Sequence, residues 1–204
     1  MGTLFIVATA AGVLSVALRG APDADSLADV AAHRHRTALG ALMIVVMAAA
    51  IALIPAILYP VLRRHDEGLA VGYVVTRTLE VVLILPAALG PLLLVSSDAH
   101  PGILATLVST YGHWWAPVSS VFFCLSAALL NVLLFRSRLV PRLISGWGLV
   151  AVAPYLAAAP LVVFGVLAPS SPSHALLVAP LALNEMVLAL WLLAKGFRPP
   201  VAGS

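Results

Sequence analysis

Arg77 and Glu80 lie three residues apart inside an apolar stretch, Gly68–Val95, GLAVGYVVTRTLEVVLILPAALGPLLLV. On a helix, residues at i and i+3 share a face, so these two charges can pair. The stretch is long enough to cross a bilayer. At helical rise Arg77 lies about 14 Å and Glu80 about 18 Å from Gly68, near the midplane of a ~30 Å hydrocarbon core. An ionised group at that depth costs about 2.5–3.5 kcal/mol on insertion scales, so both must face protein and find partners. The last apolar stretch supplies Asn184 and Glu185. Glu185 is about 15 Å into a span beginning at Ala175, level with Glu80. One arginine between two acids leaves a negative charge in excess. That makes a glutamate a proton-carrier candidate and makes Arg77, Glu80, Asn184 and Glu185 a candidate ligand-binding cluster. The same four residues also fit a structural clamp that fixes helix register, and both readings stand at this point.

Weaker constellations surround this one. His33, His35, His100, His113 and His174, with Asp23, Asp25, Asp29 and Asp98, fall in segments that the span order puts on one side. Imidazoles and carboxylates from separate loops can bind zinc, but the spacing follows no known metal pattern, so no metal is expected. His113 and Asn131 are secondary site candidates. Ser119, Ser120, Ser126 and Asn131 share one span, where hydrogen bonds between helices are the simplest account. No GxSxG, HExxH, GxGxxG, P-loop or DDxxD-type acid cluster occurs, which lowers the enzyme class and leaves no cofactor expected. Cys124 is the single cysteine, so it forms no intramolecular disulfide and reads as a small core residue.

The elements that must position these groups follow from composition. Of 204 residues, 62% are hydrophobic and 9% charged, far below the roughly 25% charged of a soluble domain. The expected fold is an all-α membrane protein, a six-span transmembrane helix bundle forming one domain over 1–198 with a flexible tail at 199–204. The spans are expected at about 3–18, 37–59, 68–95, 111–135, 144–168 and 175–195. Pro60 is expected to end the second span, and Pro86 and Pro91 to loosen the third. Asp25 and Ser26 could cap a short interfacial helix. Residues 103–110 read as an interfacial approach, with Trp114 and Trp115 anchoring the headgroup level. A cleaved signal peptide competes for the first stretch, but no Lys or Arg precedes it. No internal repeat is evident, which gives an inverted-repeat transporter little support.

Orientation follows from the basic residues. Arg63, Arg64, Arg136, Arg138, Arg142, Lys195 and Arg198 fall on one side, and Arg19, Arg34 and Arg36 on the other. The positive-inside rule puts the first group, with both termini, in the cytoplasm of a bacterial-type inner membrane. That basic rim sets topology and also suits anionic lipid headgroups. No basic cluster interleaved with aromatics lies outside the membrane, so a nucleic-acid partner is not expected.

Three stretches carry a resemblance: Tyr59–Glu80 (YPVLRRHDEGLAVGYVVTRTLE), Leu134–Val150 (LFRSRLVPRLISGWGLV) and Leu183–Phe197 (LNEMVLALWLLAKGF). In order and spacing, from about Gly12 to Phe197, the chain resembles the bacterial membrane-protein family catalogued as domain of unknown function 4386. The resemblance implies a six-span inner-membrane protein and places Arg77, Glu80, Asn184 and Glu185 in family-like motifs. It transfers no activity. Three functions remain open: a non-enzymatic protein that binds or moves a small lipophilic or protonatable molecule at the buried polar site, which is the preferred reading; a membrane-embedded enzyme using a glutamate as general acid/base on a lipid or isoprenoid; or a structural or accessory subunit. Membrane lipid is the expected partner, with a small lipophilic ligand at the site, and an oligomer is compatible with the sequence.

Overall fold

A computed structural model describes residues 1–19, 33–89, 92, 116–169 and 171–197. The described residues form six helices in the order α1 Gly2–Arg19, α2 Arg34–Leu62, α3 Glu67–Ile84, α4 Ala116–Ser137, α5 Arg142–Val163 and α6 Pro172–Ala194. By length and composition five of them, α2 to α6, can cross a membrane, and α1 is a shorter apolar helix. Each helix packs on its neighbours in sequence, and α1 packs on α6. The result is a closed ring of six antiparallel staves.

Local chemistry sets where each stave starts and stops, and several ends differ from the sequence expectation. α2 runs through both Pro55 and Pro60 to Leu62. Pro60 does not stop it, because a proline so near a helix end removes one hydrogen bond while the following residues still reach back. The Arg63 N–H, for example, donates to the Tyr59 carbonyl at 3.0 Å. The turn that follows shrinks to 63–66. Asp66 then caps α3, its Oδ1 accepting from the Leu69 N–H at 3.0 Å, while Glu67 occupies the first turn.

The third span is described as a span of Glu67–Leu89, and residues 93–95 lie outside the described residues. Leu85, before Pro86, keeps helical dihedrals and its N–H donates to the Val81 carbonyl at 3.1 Å, so helical backbone continues to Leu89 with the Pro86 hydrogen bond missing. α5 starts two residues earlier than expected and stops at Val163 instead of Ala168. Gly165 adopts φ 70°, and the Val166 and Gly165 N–H groups donate to the Leu161 and Val162 carbonyls. These are the two hydrogen bonds of a Schellman stop. α6 starts at Pro172, inside the expected turn at 169–174. Ser171 caps it by accepting from the His174 N–H at 3.2 Å, and proline suits the first helical position. Gly196, φ 65°, follows the end of α6 as the sequence suggests. The expected cap at Asp25 and Ser26, the 103–110 approach and the Trp114–Trp115 anchor lie outside the described residues.

The ring has two unlike ends. The end formed by Gly2, Leu62, Glu67, Ser137, Arg142 and Ala194 carries Arg63, Arg64, Arg136, Arg138 and Lys195 beside Arg142. Beneath this basic end lies the largest apolar core, drawn from all six helices, including Phe5, Leu58, Leu62, Tyr73, Leu134 and Leu188. Outward faces carry Val13, Leu42, Leu53, Val82, Val150 and Leu190, all exposed. An exterior this apolar suits lipid and not water. Reporters fused after Ser204 and inserted within 63–66 are expected to report one compartment, the cytoplasm, and a reporter within 164–171 the other. Agreement between the 63–66 and 164–171 reporters would break the six-stave order.

Candidate ligand-binding site

α3 presents Tyr73, Arg77 and Glu80 on its buried face, spaced four and three residues apart. The Arg77 side chain is 2% exposed, yet it is an ion at mid-depth. Its charge is met from two directions. Nη1 donates to Glu80 Oε2 at 3.1 Å and Oε1 at 3.3 Å, and Nη2 donates to Glu185 Oε1 at 2.9 Å. The guanidinium also lies 5.8 Å from the Tyr73 ring centroid and 5.4 Å from that of Phe123, within cation–π range. The two carboxylates thus hold a resident cation, the guanidinium.

The partner helix for Glu185 is not a neighbour. Equal depth left open whether the third and sixth spans are antiparallel neighbours. In the ring α3 and α6 stand opposite, and their extended packing is with other helices. The length of the arginine side chain lets it span the interior, so the ion pair is a strut across the ring.

Beside the strut lies a cavity of about 210 Å³ with walls from all six helices. Arg77, Glu80 and Glu185 line it together with Thr9, Phe123 and Tyr155, and Ser119 and Ser120 add hydroxyls. It extends from the ion cluster away from the basic end, towards Gly12 and Ile84. Glu80 is 3% exposed and closed in. The Glu185 side chain is 19% exposed, so it is the acid that reaches open space.

Of the other sequence candidates, Asn184 and Asn131 do not line the cavity. Asn184 is fully buried, but its Nδ2 donates to the Ile144 carbonyl at 2.7 Å and bolts α6 to α5. Asn131 donates to the Ala127 carbonyl of its own helix at 2.8 Å and packs against Gly148 of α5. His113 and His100 lie outside the described residues, while His33, His35 and His174 sit at the end opposite the basic rim. Among the described residues no three His, Cys, Asp or Glu converge as a metal site. Cys124 is buried between α4, α5 and α6. The sequence reading missed Thr9, Phe123 and Tyr155 as cavity residues. Tyr155 carried a signal, since a tyrosine deep inside a span departs from the usual interfacial placement.

An all-α ring, with five staves fit to span a bilayer and a buried ion cluster beside a central cavity, defines a multi-pass membrane protein. The family described as a domain of unknown function (DUF4386) matches residues 1–196, and the chain belongs to that family. No curated protein and no solved structure matches the chain.

Removing one partner of a buried ion pair typically costs 3–5 kcal/mol. Arg77→Ala strips the cation from two acids and is expected to destabilise by about that amount, more than Glu185→Gln, which leaves Arg77 paired with Glu80. Adding Glu80→Gln to Arg77→Ala should restore part of the loss, as read by detergent melting. No recovery in the double variant would exclude the ion-pair account. A second prediction concerns Gly148, where a Cβ would overlap the Asn131 side chain. Gly148→Ala is expected to cost about 1–3 kcal/mol of overpacking, partly relieved by Asn131→Ala in the same melting assay.

Proposed function

We propose that the protein binds or moves a small lipophilic or protonatable molecule in the central cavity, within a bacterial-type inner membrane. One observation carries this reading. The ion cluster borders about 210 Å³ of space, and Glu185 is partly exposed to it. A clamp serving only helix register is most stable when packing closes over it, because voids forfeit dispersion contacts and buried charge needs every partner. A cavity lined by apolar walls and a few convergent polar groups is the usual form of a small-molecule site.

The basic rim favours a cytoplasmic position for the sealed end. Entry from the opposite end then needs no rearrangement of the large core, whereas passage through the bundle requires that core to part. The enzyme reading gains less support, since both Glu80 oxygens are engaged by Arg77 and only Glu185 has accessible surface.

The test is mass spectrometry of small molecules extracted from the full chain purified in mild detergent. A stoichiometric compound is expected with the wild type and absent from Glu185→Gln, with melting temperatures close to one another. Metabolite and lipid profiles of a deletion strain should shift for the same compound. An identical extract from both proteins, or none from either, would overturn the reading.

A further inference from the structure

We propose that the cavity beside Glu185 is built for a small organic cation, a protonated amine on a compact apolar body. The inference rests on the cavity being a small-molecule site and names the class of its occupant.

The first support is charge. Among the described residues, the charged side chains lining the cavity are Arg77, Glu80 and Glu185, one cation and two acids. With both acids ionised the cluster lacks one positive charge, and a low-polarity interior makes that imbalance costly. A cationic occupant restores neutrality. An anion would have to bind at Arg77, but Arg77 is 2% exposed and both of its terminal nitrogens are engaged by carboxylates. Its Nε is buried from the cavity as well.

The second support is the direction of the hydrogen bonds. Glu185 uses Oε1 for Arg77, and its Oε2 accepts nothing from the described residues. Ser119 and Ser120 both spend their hydroxyl protons on the Ala116 carbonyl, at 2.8 and 3.0 Å. With its proton so placed, the Ser119 hydroxyl has only acceptor capacity left, while Ser120 also pairs with the Tyr155 hydroxyl. An ammonium carries donors and no acceptor, so it complements the Glu185 carboxylate and the Ser119 hydroxyl oxygen.

The third support is shape. Phe123 and Tyr155 meet with ring centroids 5.2 Å apart and planes tilted by 55°, giving an aromatic corner in the cavity that Glu185 also lines. Aromatic faces attract ammonium groups, most strongly where water is excluded. The cavity, about 210 Å³, has room for a single ring with a short amine arm.

The test uses three probes of nearly equal size and different charge: benzylamine, benzyl alcohol and benzoate. Equilibrium dialysis at neutral pH measures each against the full chain in detergent, with empty micelles subtracted. Benzylamine is expected to bind, benzoate not to displace it, and Glu185→Gln to weaken it by at least about tenfold, as loss of a buried charged partner does. Tyr155→Leu removes the aromatic corner without touching the ion cluster and should weaken benzylamine several-fold, so a misfolded Glu185→Gln leaves the proposal exposed to refutation. Unchanged benzylamine binding in Tyr155→Leu, or in a folded Glu185→Gln, overturns it. Equal binding of benzyl alcohol or benzoate, abolished by the cavity-filling Thr9→Trp, overturns the cationic assignment while leaving the cavity a small-molecule site. Binding of no probe, together with an empty wild-type extract, removes both.

Discussion

A guanidinium held in a low-polarity interior is the constraint on which the rest of the bundle depends. Arg77 cannot shed its proton, and it cannot reach water, so the protein must bring acceptors to it. Glu80 comes from the same helix and costs no tertiary organisation. Glu185 comes from the far side of the ring, and its position fixes the rotation of α6 about its own axis. Once α6 is set, Asn184 falls against α5 and ties the two helices together at the Ile144 carbonyl. The ring order, the tilt of its staves and the cavity all have to accommodate one strut.

Much of this arrangement was legible in the sequence. Arg77, Glu80 and Glu185 stood out because ionisable groups inside apolar stretches are rare and their distances from the span ends agree. What depth could not give was rotation. Consecutive residues on a helix point about 100° apart, so Asn184 and Glu185 cannot both face the centre, and sequence distance alone could not choose between them. Depth also says nothing of which staves are neighbours. Two groups at one level can sit on neighbouring staves or on opposite ones, and α3 and α6 stand across the ring.

The helix ends show the same division. Pro60 was read as a stop, but its position near a terminus cost only one hydrogen bond, and α2 passed over it. Gly165 ended α5 by its left-handed backbone, a signal hidden in an apolar run where hydropathy carried the expected span on to Ala168. Hydropathy measures what lipid tolerates, whereas the ends are set by where backbone hydrogen bonds can be completed. Membership of the family and the all-α class were readable early because they rest on long, regular patterns. The aromatic corner rests on two side chains from different helices and emerges only when the ring closes.

The unlike ends of the ring have an electrical consequence. A membrane potential falls mainly across the least polarisable layer it meets. Here that layer is the apolar core drawn from all six helices beneath the basic end. The ion cluster sits beyond it, so a charge arriving at Glu185 traverses only part of the field. Crossing the whole drop is worth about 2.3 kcal/mol per elementary charge per 100 mV. On the proposed reading, a charged occupant entering from the end opposite the basic rim would feel only the share of the drop on its own side of that core.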